Sequence, residues 1–266
     1  MPTRLGVVSY FNARPLVHAL ESGDLAHPFQ LLYDVPSRCA DRLHAGQSHV
    51  ALIPSIEIAS GLGAYSAVPD VAIASRGPVR SVLLLLGKDP EDIQTLAVDS
   101  GSRTSVALSR ILLEKRFGCR PSVKAHPPDP DRMLANSDAA LVIGDAALEL
   151  DTSAYRVLDL GEEWTNLTGL PFVYACWTGR PDALSIEEAD LLVRSRDLGL
   201  DSLDTIAQVY ATDHPHPPTY YEHYLRANIA YGFGDEELAG LRLFYRYAEE
   251  LGLIQRQPDL QFYTLS

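Results

Sequence analysis

The sequence predicts an α/β protein, and three observations carry that expectation. Short apolar β-type segments alternate with stretches of helical spacing through the first two-thirds of the chain. The last third reads as almost entirely helical. Two apolar strands also end in similar punctuation, Gly87-Lys-Asp-Pro90 and Gly179-Arg-Pro181, and bracket a middle block with its own βα alternation. Such a chain either builds two lobes, leaving the first to make the second and then returning, or forms one doubly wound domain with two Pro-containing loops. The two-lobed version puts 1–87 and 179–266 in lobe one and 88–178 in lobe two.

Taken in order, residues 5–10 form the first strand. Pro15 suits an early helical position, where the backbone N–H has no partner anyway, so a helix runs to about residue 20. A second strand covers 29–35, and Ser37 can cap a helix through 45. Residues 50–53 make a short buried strand, and Pro54-Ser55 opens a helix ending near 61. Strands follow at 71–75 and 79–86; the latter is nearly continuously apolar, as a centrally buried strand should be. In the middle block, strands are expected at 96–98, 123–125, 139–143, 157–160 and 173–177. Between the first two, a polar turn at 99–105 leads into a helix carrying Leu108, Ile111, Leu112 and Lys115. Pro127-Pro-Asp-Pro130 breaks the chain. Helices are expected at 186–199, 203–211, 219–227 and 236–251. The first opens on a capping box, Ser185-Ile-Glu-Glu188, and the last sets Leu238, Leu241, Tyr245 and Ala248 on one stripe.

Composition narrows the function classes. With 46% hydrophobic and 21% charged residues in 266, the chain is an ordinary globular protein. It holds no apolar run of about 18 residues, so no transmembrane helix is expected. The N-terminus lacks a signal-peptide pattern, which points to the cytoplasm. The formal charge of −13, from 22 basic and 35 acidic residues, argues against nonspecific nucleic-acid binding, which needs a basic footprint. No membrane partner is expected, and a homodimer is compatible with the sequence. Cys39, Cys119 and Cys176 are odd in number and far apart, so they read as small buried hydrophobes. His214-Pro-His216 has no neighbouring Cys or HExxH, so no metal is expected there. There is no GxSxG, GxGxxG or GKS/GKT loop.

The clearest chemical signal is the turn Asp99-Ser-Gly-Ser-Arg-Thr-Ser105. A Gly-containing Ser/Thr loop entering a helix presents free N–H groups and a positive dipole end, which suit a carboxylate or phosphate. Arg103 could add charge, and Ser102, Thr104 and Ser105 could add hydroxyls; plain capping by Ser102 is the alternative. In Tyr10-Phe-Asn-Ala-Arg-Pro15, Asn12 stands between a strand end and a helix start, where open α/β sheets place their ligand crevice, or else it caps the helix. Arg14 either clamps an anion or faces solvent. Ser55 caps a helix or meets ligand. Gly144-Asp145 follows a strand, and a turn plus a cap would explain it equally well.

Four segments together resemble one family. They are Val8-Ser-Tyr-Phe-Asn-Ala-Arg-Pro-Leu16, Ala51-Leu-Ile-Pro-Ser55, Ser100-Gly-Ser-Arg-Thr-Ser105 and Gly161-Glu-Glu-Trp-Thr-Asn-Leu-Thr-Gly-Leu-Pro-Phe172. Their order and spacing are similar to the chorismate dehydratase family of the futalosine route to menaquinone. The resemblance implies a two-lobed fold like the type II periplasmic binding proteins, with the ligand cleft between the lobes. It also implies loss of water from chorismate to give 3-[(1-carboxyvinyl)oxy]benzoate, with no metal or organic cofactor. Chorismate carries two carboxylates. The 99–105 loop, with Ser100, Ser102, Arg103, Thr104 and Ser105, would hold one; Arg14, Arg38 or Arg80 would help with the other. Ser55, Gly144 and Asp145 would also meet substrate. Asn12 would donate to the departing 4-hydroxyl. Ser81, mapped to the family's serine at this strand, would orient the enolpyruvyl carboxylate, which takes the C3 proton itself. The alternatives are a non-catalytic binding protein for a small anionic metabolite and the related cyclase of the same pathway.

Overall fold

The computed structural model describes residues 2–60, 63–99 and 101–266. The chain begins with β1 (Thr3–Val8), a 3-10 helix Phe11–Leu16, α1 (His18–Ser22), β2 (Phe29–Asp34), α2 (Pro36–His44) and β3 (Val50–Pro54). A 3-10 helix Ser55–Ser60, β4 (Ser66–Ser75), β5 (Val82–Leu86) and β6 (Thr95–Val98) come next. Then follow α3 (Arg103–Phe117), β7 (Ser122–Ala125), α4 (Pro130–Asn136), β8 (Ala139–Ile143), α5 (Gly144–Leu148), β9 (Arg156–Asp159), α6 (Leu160–Thr168) and β10 (Phe172–Gly179). The C-terminal block holds α7 (Ile186–Asp201), α8 (Leu203–Tyr210), α9 (Pro218–His223), a π-helical turn Tyr224–Asn228, α10 (Asp235–Glu250) and the short β11 (Gln261–Phe262).

The strands sort into two sheets, in the orders β11-β4-β10-β3-β1-β2 and β7-β6-β8-β5-β9. In each sheet most strands run parallel, and one strand enters antiparallel in the middle: β10 between β3 and β4, and β5 between β8 and β9. This two-sheet arrangement selects the two-lobed alternative over a single doubly wound sheet. The division does not fall at 87 and 179. β5 pairs with β8 from Val82↔Ile143 to Leu86↔Ala139, so it belongs to the second sheet, whereas β10 belongs to the first. The Gly-Pro punctuation after 87 and 179 therefore ends the entering strand of each sheet, and the crossings lie before β5 and before β10.

Burial explains the composition of β5. Leu83 and Leu85 face a small core with Met133 and Ala147, while Val82, Leu84 and Leu86 face the main core, so both sides of the strand are covered. At the edge of the same sheet, all four residues of β7 are exposed. The capping box at Ser185 forms as expected: Glu188 N donates to Ser185 Oγ and Ser185 N to Glu188 Oε2. The stripe on α10 buries Leu241, Tyr245 and Ala248. All three cysteines are free and buried.

Several elements depart from the sequence reading. The stretch expected as a helix at 15–20 ends a 3-10 helix and begins α1, the one at 54–61 is a 3-10 helix as far as Ser60 with residue 61 outside the described residues, and 79–81 is not strand but a bend in which Arg80 takes a left-handed φ of 62°. Ser37 does not cap α2; Pro36 occupies its first turn, and Ser37 N donates to Gly101 O. Three helices were not expected: α4, α5 and α6. α4 starts on the Pro130 read as a breaker, with Asp129 accepting from Arg132 N as its cap.

Candidate active site

A cavity opens where the two sheets face each other across the carboxyl ends of β1, β3 and β8 and the segment following β6. The first sheet contributes Val8, Pro54, Ile73, Tyr174 and Ala175 to its walls, and the second contributes Val82 and Ile143. Polar groups are few: Tyr10, Asn12, Ser81, Ser102 and Ser105, with Tyr174. No residue found on its walls, among the described residues, carries a formal charge. An apolar pocket with a few convergent hydroxyls and amides suits a small organic ligand.

Asn12 reaches the cavity because β1 ends at Val8 and the chain turns at once into the 3-10 helix. Tyr10, not Asn12, occupies the cap position of that helix, so capping is not the role of Asn12. Its backbone carbonyl accepts from Tyr231 Oη (2.9 Å). Its side-chain oxygen Oδ1 is buried without a hydrogen-bond partner. A buried, unsatisfied amide oxygen costs about 1–3 kcal/mol unless something fills it.

Ser81 sits at the entrance to β5, 1% exposed. Asp159 builds the bend before it: its carboxylate accepts from Val79 N (3.0 Å) and Arg80 N (2.6 Å), and also from Gly161 N and Glu162 N at the start of α6. One carboxylate thus caps a helix and clamps the crossing into the second sheet. Tyr224 Oη donates to Ser81 Oγ (2.7 Å).

The 99–105 loop enters α3 as expected, and Ser102 is its cap, accepting from Ser105 N (3.3 Å) while donating to Ser105 Oγ (2.9 Å). Both serines nonetheless line the cavity, so capping and ligand contact are compatible there. Ser100 lies outside the described residues.

Gly144 lines the cavity at φ 63°, with the Tyr10 ring packed where its side chain would be. Tyr10 itself is largely buried, and burial pushes its phenol above the usual value, with Asp99 and Asp145 adding to the effect.

The structure does not bring the remaining expected residues to the cavity. Arg14 pairs with Glu21 at the surface. Arg103 turns outward to Asp41 (2.6 Å) and Glu57 (3.0 Å), because two carboxylates of lobe one wait there. Thr104, 1% exposed, accepts from Ile56 N (3.2 Å). Ser55 is fully buried and donates to Val173 O (2.8 Å). Asp145 accepts from Phe11 N (2.9 Å), and burial raises its carboxyl above the usual range against that hydrogen bond. Arg38 is exposed, and Arg80 reaches Tyr220 Oη (3.2 Å). Arg103, Thr104 and Asp145 therefore tie the lobes together, together with the Ser37–Gly101 backbone bond, around the cavity instead of lining it.

Tyr10, Tyr174 and Tyr224 were missed by sequence reasoning. Tyr10 shares a motif with Asn12, so a signal was present. Tyr174 bonds Ser75 (3.0 Å) from the middle of β10, and Tyr224 arrives from the C-terminal helices; neither is marked by its neighbours in sequence. Among the described residues no group of three His, Cys, Asp or Glu stands close enough to hold a metal ion. His214 instead bonds Glu149 (2.5 Å).

The two sheets with one antiparallel intruder each, and a cavity between them, define the periplasmic-binding-protein-like class. Solved structures agree on the fold. A protein of Archaeoglobus fulgidus superposes with a TM-score of 0.77 at 16% identity, over 94% of this chain and 98% of that one. The periplasmic aliphatic sulphonate binding protein of Escherichia coli superposes with a TM-score of 0.70 at 17% identity, over 100% and 92%. The chain belongs to the menaquinone biosynthesis family, whose model matches residues 3–250. A chorismate dehydratase of Thermus thermophilus is 29% identical over 95% of this chain and 96% of its own length. A chorismate dehydratase of Campylobacter jejuni is 30% identical over 64% of each. No helix of the described residues is long and apolar enough to cross a membrane.

Proposed function

We propose that this protein is a chorismate dehydratase that acts in the cytoplasm, eliminating water from chorismate to give 3-[(1-carboxyvinyl)oxy]benzoate. Beside the family relationship, the observation that carries the reading is the unpartnered, buried Asn12 amide oxygen in the cavity wall. A ligand hydroxyl both donates and accepts, and an amide can meet it on both counts. The 4-hydroxyl of chorismate is such a group.

In the proposed reaction the C3–H bond breaks and its electron pair forms the new ring double bond. The C4–O bond breaks, the departing hydroxyl takes the C3 proton back from the enolpyruvyl carboxyl, and one water leaves as the ring becomes aromatic. Asn12 holds the departing oxygen. No His, Lys, Asp or Glu is found on the cavity wall among the described residues, which supports the enolpyruvyl carboxylate as the base, held within reach of C3 by Ser81. Fixing that carboxylate supplies an intramolecular advantage. With no arginine found on the wall among the described residues, the carboxylates would be met by neutral donors: the hydroxyls of Ser102 and Ser105 and the start of α3.

The test is incubation of purified protein with chorismate, followed by mass spectrometry. Loss of one water from substrate is expected. Chorismate bound but recovered intact would instead mark a binding protein. Asn12→Asp, nearly isosteric but an acceptor only when ionised, is expected to lower turnover by about 10²-fold or more, the scale seen when one oriented donor is removed. Unchanged turnover would refute the role of Asn12.

A further inference from the structure

We propose that Tyr224 is a positioning residue for the reaction: its phenol fixes the Ser81 hydroxyl and turns the Ser81 O–H toward the substrate carboxylate. This rests on the dehydratase reading above.

The geometry of Ser81 calls for such a partner. Its side chain lines the cavity, yet its only other hydrogen bond among the described residues is a long one, donated to Val79 O at 3.4 Å. At that length the hydroxyl rotor is weakly held. A serine hydroxyl has one proton and two acceptor positions. Tyr224 Oη donates into one of them at 2.7 Å, so the proton has only the long bond to Val79 O to give up when it turns to the cavity. A hydroxyl that accepts one hydrogen bond also donates more strongly, because the chain polarises.

Tyr224 is built for this position. It opens the π-helical turn Tyr224–Asn228 directly after α9; such widened turns concentrate at functional sites. The turn is pinned along the bend that carries Ser81. Asn228 Nδ2 donates to Pro78 O (2.8 Å), and Arg80 lies over the Tyr220 ring at 4.7 Å while bonding its hydroxyl. Tyr220 in turn donates to Leu148 O (2.6 Å), which ties α9 to α5. The Tyr224 ring is 1% exposed and packs on Phe11, the residue before Asn12. Burial raises the phenol well above its usual value, so it remains a protonated donor at neutral pH. Tyr224 does not itself reach the cavity wall; it acts through Ser81.

The experiment is a double-mutant cycle in chorismate turnover with wild type, Tyr224→Phe, Ser81→Ala and the double variant. Tyr224→Phe keeps the ring that packs on Phe11 and removes only the donor. It is expected to lower kcat about tenfold with KM little changed, the scale of one hydrogen bond. In the double variant no further loss beyond Ser81→Ala is expected, because the phenol has nothing left to orient. A structural role alone would give multiplying losses, and that result, or an unchanged kcat in Tyr224→Phe, overturns the proposal. If Tyr224→Phe does not fold, 3-fluorotyrosine placed at 224 replaces it. Its more acidic phenol should raise kcat with Ser81 present and have no effect in Ser81→Ala; equal behaviour in both backgrounds overturns the proposal. Wild-type protein inert toward chorismate would overturn the dehydratase reading and this proposal together, whereas an active wild type with an unaffected Tyr224→Phe overturns this proposal alone.

Discussion

Adding a single methyl group at Gly144 tests the cavity wall directly. Gly144 has φ 63°, and a Cβ there would lie 2.9 Å from Cε2 and Cζ of Tyr10. Two costs then act on Gly144→Ala. The left-handed backbone costs a non-glycine residue about 1–2 kcal/mol. The clash with a packed ring adds an overpacking cost of about 1–3 kcal/mol. Gly118, the residue closing α3, separates the two: its φ is 68°, but nothing stands within 4 Å of an added Cβ. Gly118→Ala should therefore show the backbone cost alone. In thermal unfolding, each kcal/mol shifts Tm by roughly 2–4 °C for a chain of this size. Gly144→Ala is expected to lose more Tm than Gly118→Ala, and only Gly144→Ala to lose turnover, because only there does Tyr10 move in the wall. Equal Tm losses with turnover retained in both would refute the contact between Gly144 and Tyr10 as a shaping element of the site.

Two further outcomes concern Thr104, which ties the lobes together, and Asp138, which stands just before β8 in the second sheet. Thr104→Val should destabilise by about 1–3 kcal/mol, since it strands the buried Ile56 N–H, while affinity for chorismate changes little; the reverse pattern, an intact Tm with weakened binding, would place Thr104 in the ligand site after all. Asp138 is held far below the usual carboxylate range by Lys88, with hydrogen bonds from Gln94 and Thr95 contributing against burial. Its stabilisation is therefore present above the unfolded carboxylate pKa and is lost as pH falls through the folded one, so Asp138→Asn should flatten the acid limb of a plot of Tm against pH, and an unchanged acid limb would count against it.

The parts of this fold legible in sequence are those where local chemistry and burial agree. The Leu-rich β5 reads as a strand covered on both faces, and the Ser185 capping box announces α7. Asn12, Ser81, Ser102, Ser105 and Gly144, which strand ends and the family motifs single out, line the cavity. What stayed hidden depends on distant partners. Arg103 looks like an anion clamp until Asp41 and Glu57 appear beside it, and Thr104 looks like a ligand hydroxyl until Ile56 N meets it. The run Pro127-Pro-Asp-Pro130 suggests a break, although a cap followed by proline at the first helical position is equally a start signal. The lobe boundary was misplaced by one strand because β5 and β10 look alike in isolation; only their pairing assigns them to different sheets.

The clamp made by Asp159 has a consequence for when chemistry can occur. Val79 and Arg80 are bound to the first turn of α6, so Ser81 moves with the second sheet. Asn12 is carried by the end of β1 and moves with the first. In the proposed reaction these two groups serve one substrate from opposite lobes, so each meets its end of the molecule only where the lobes stand together, as they do around this cavity.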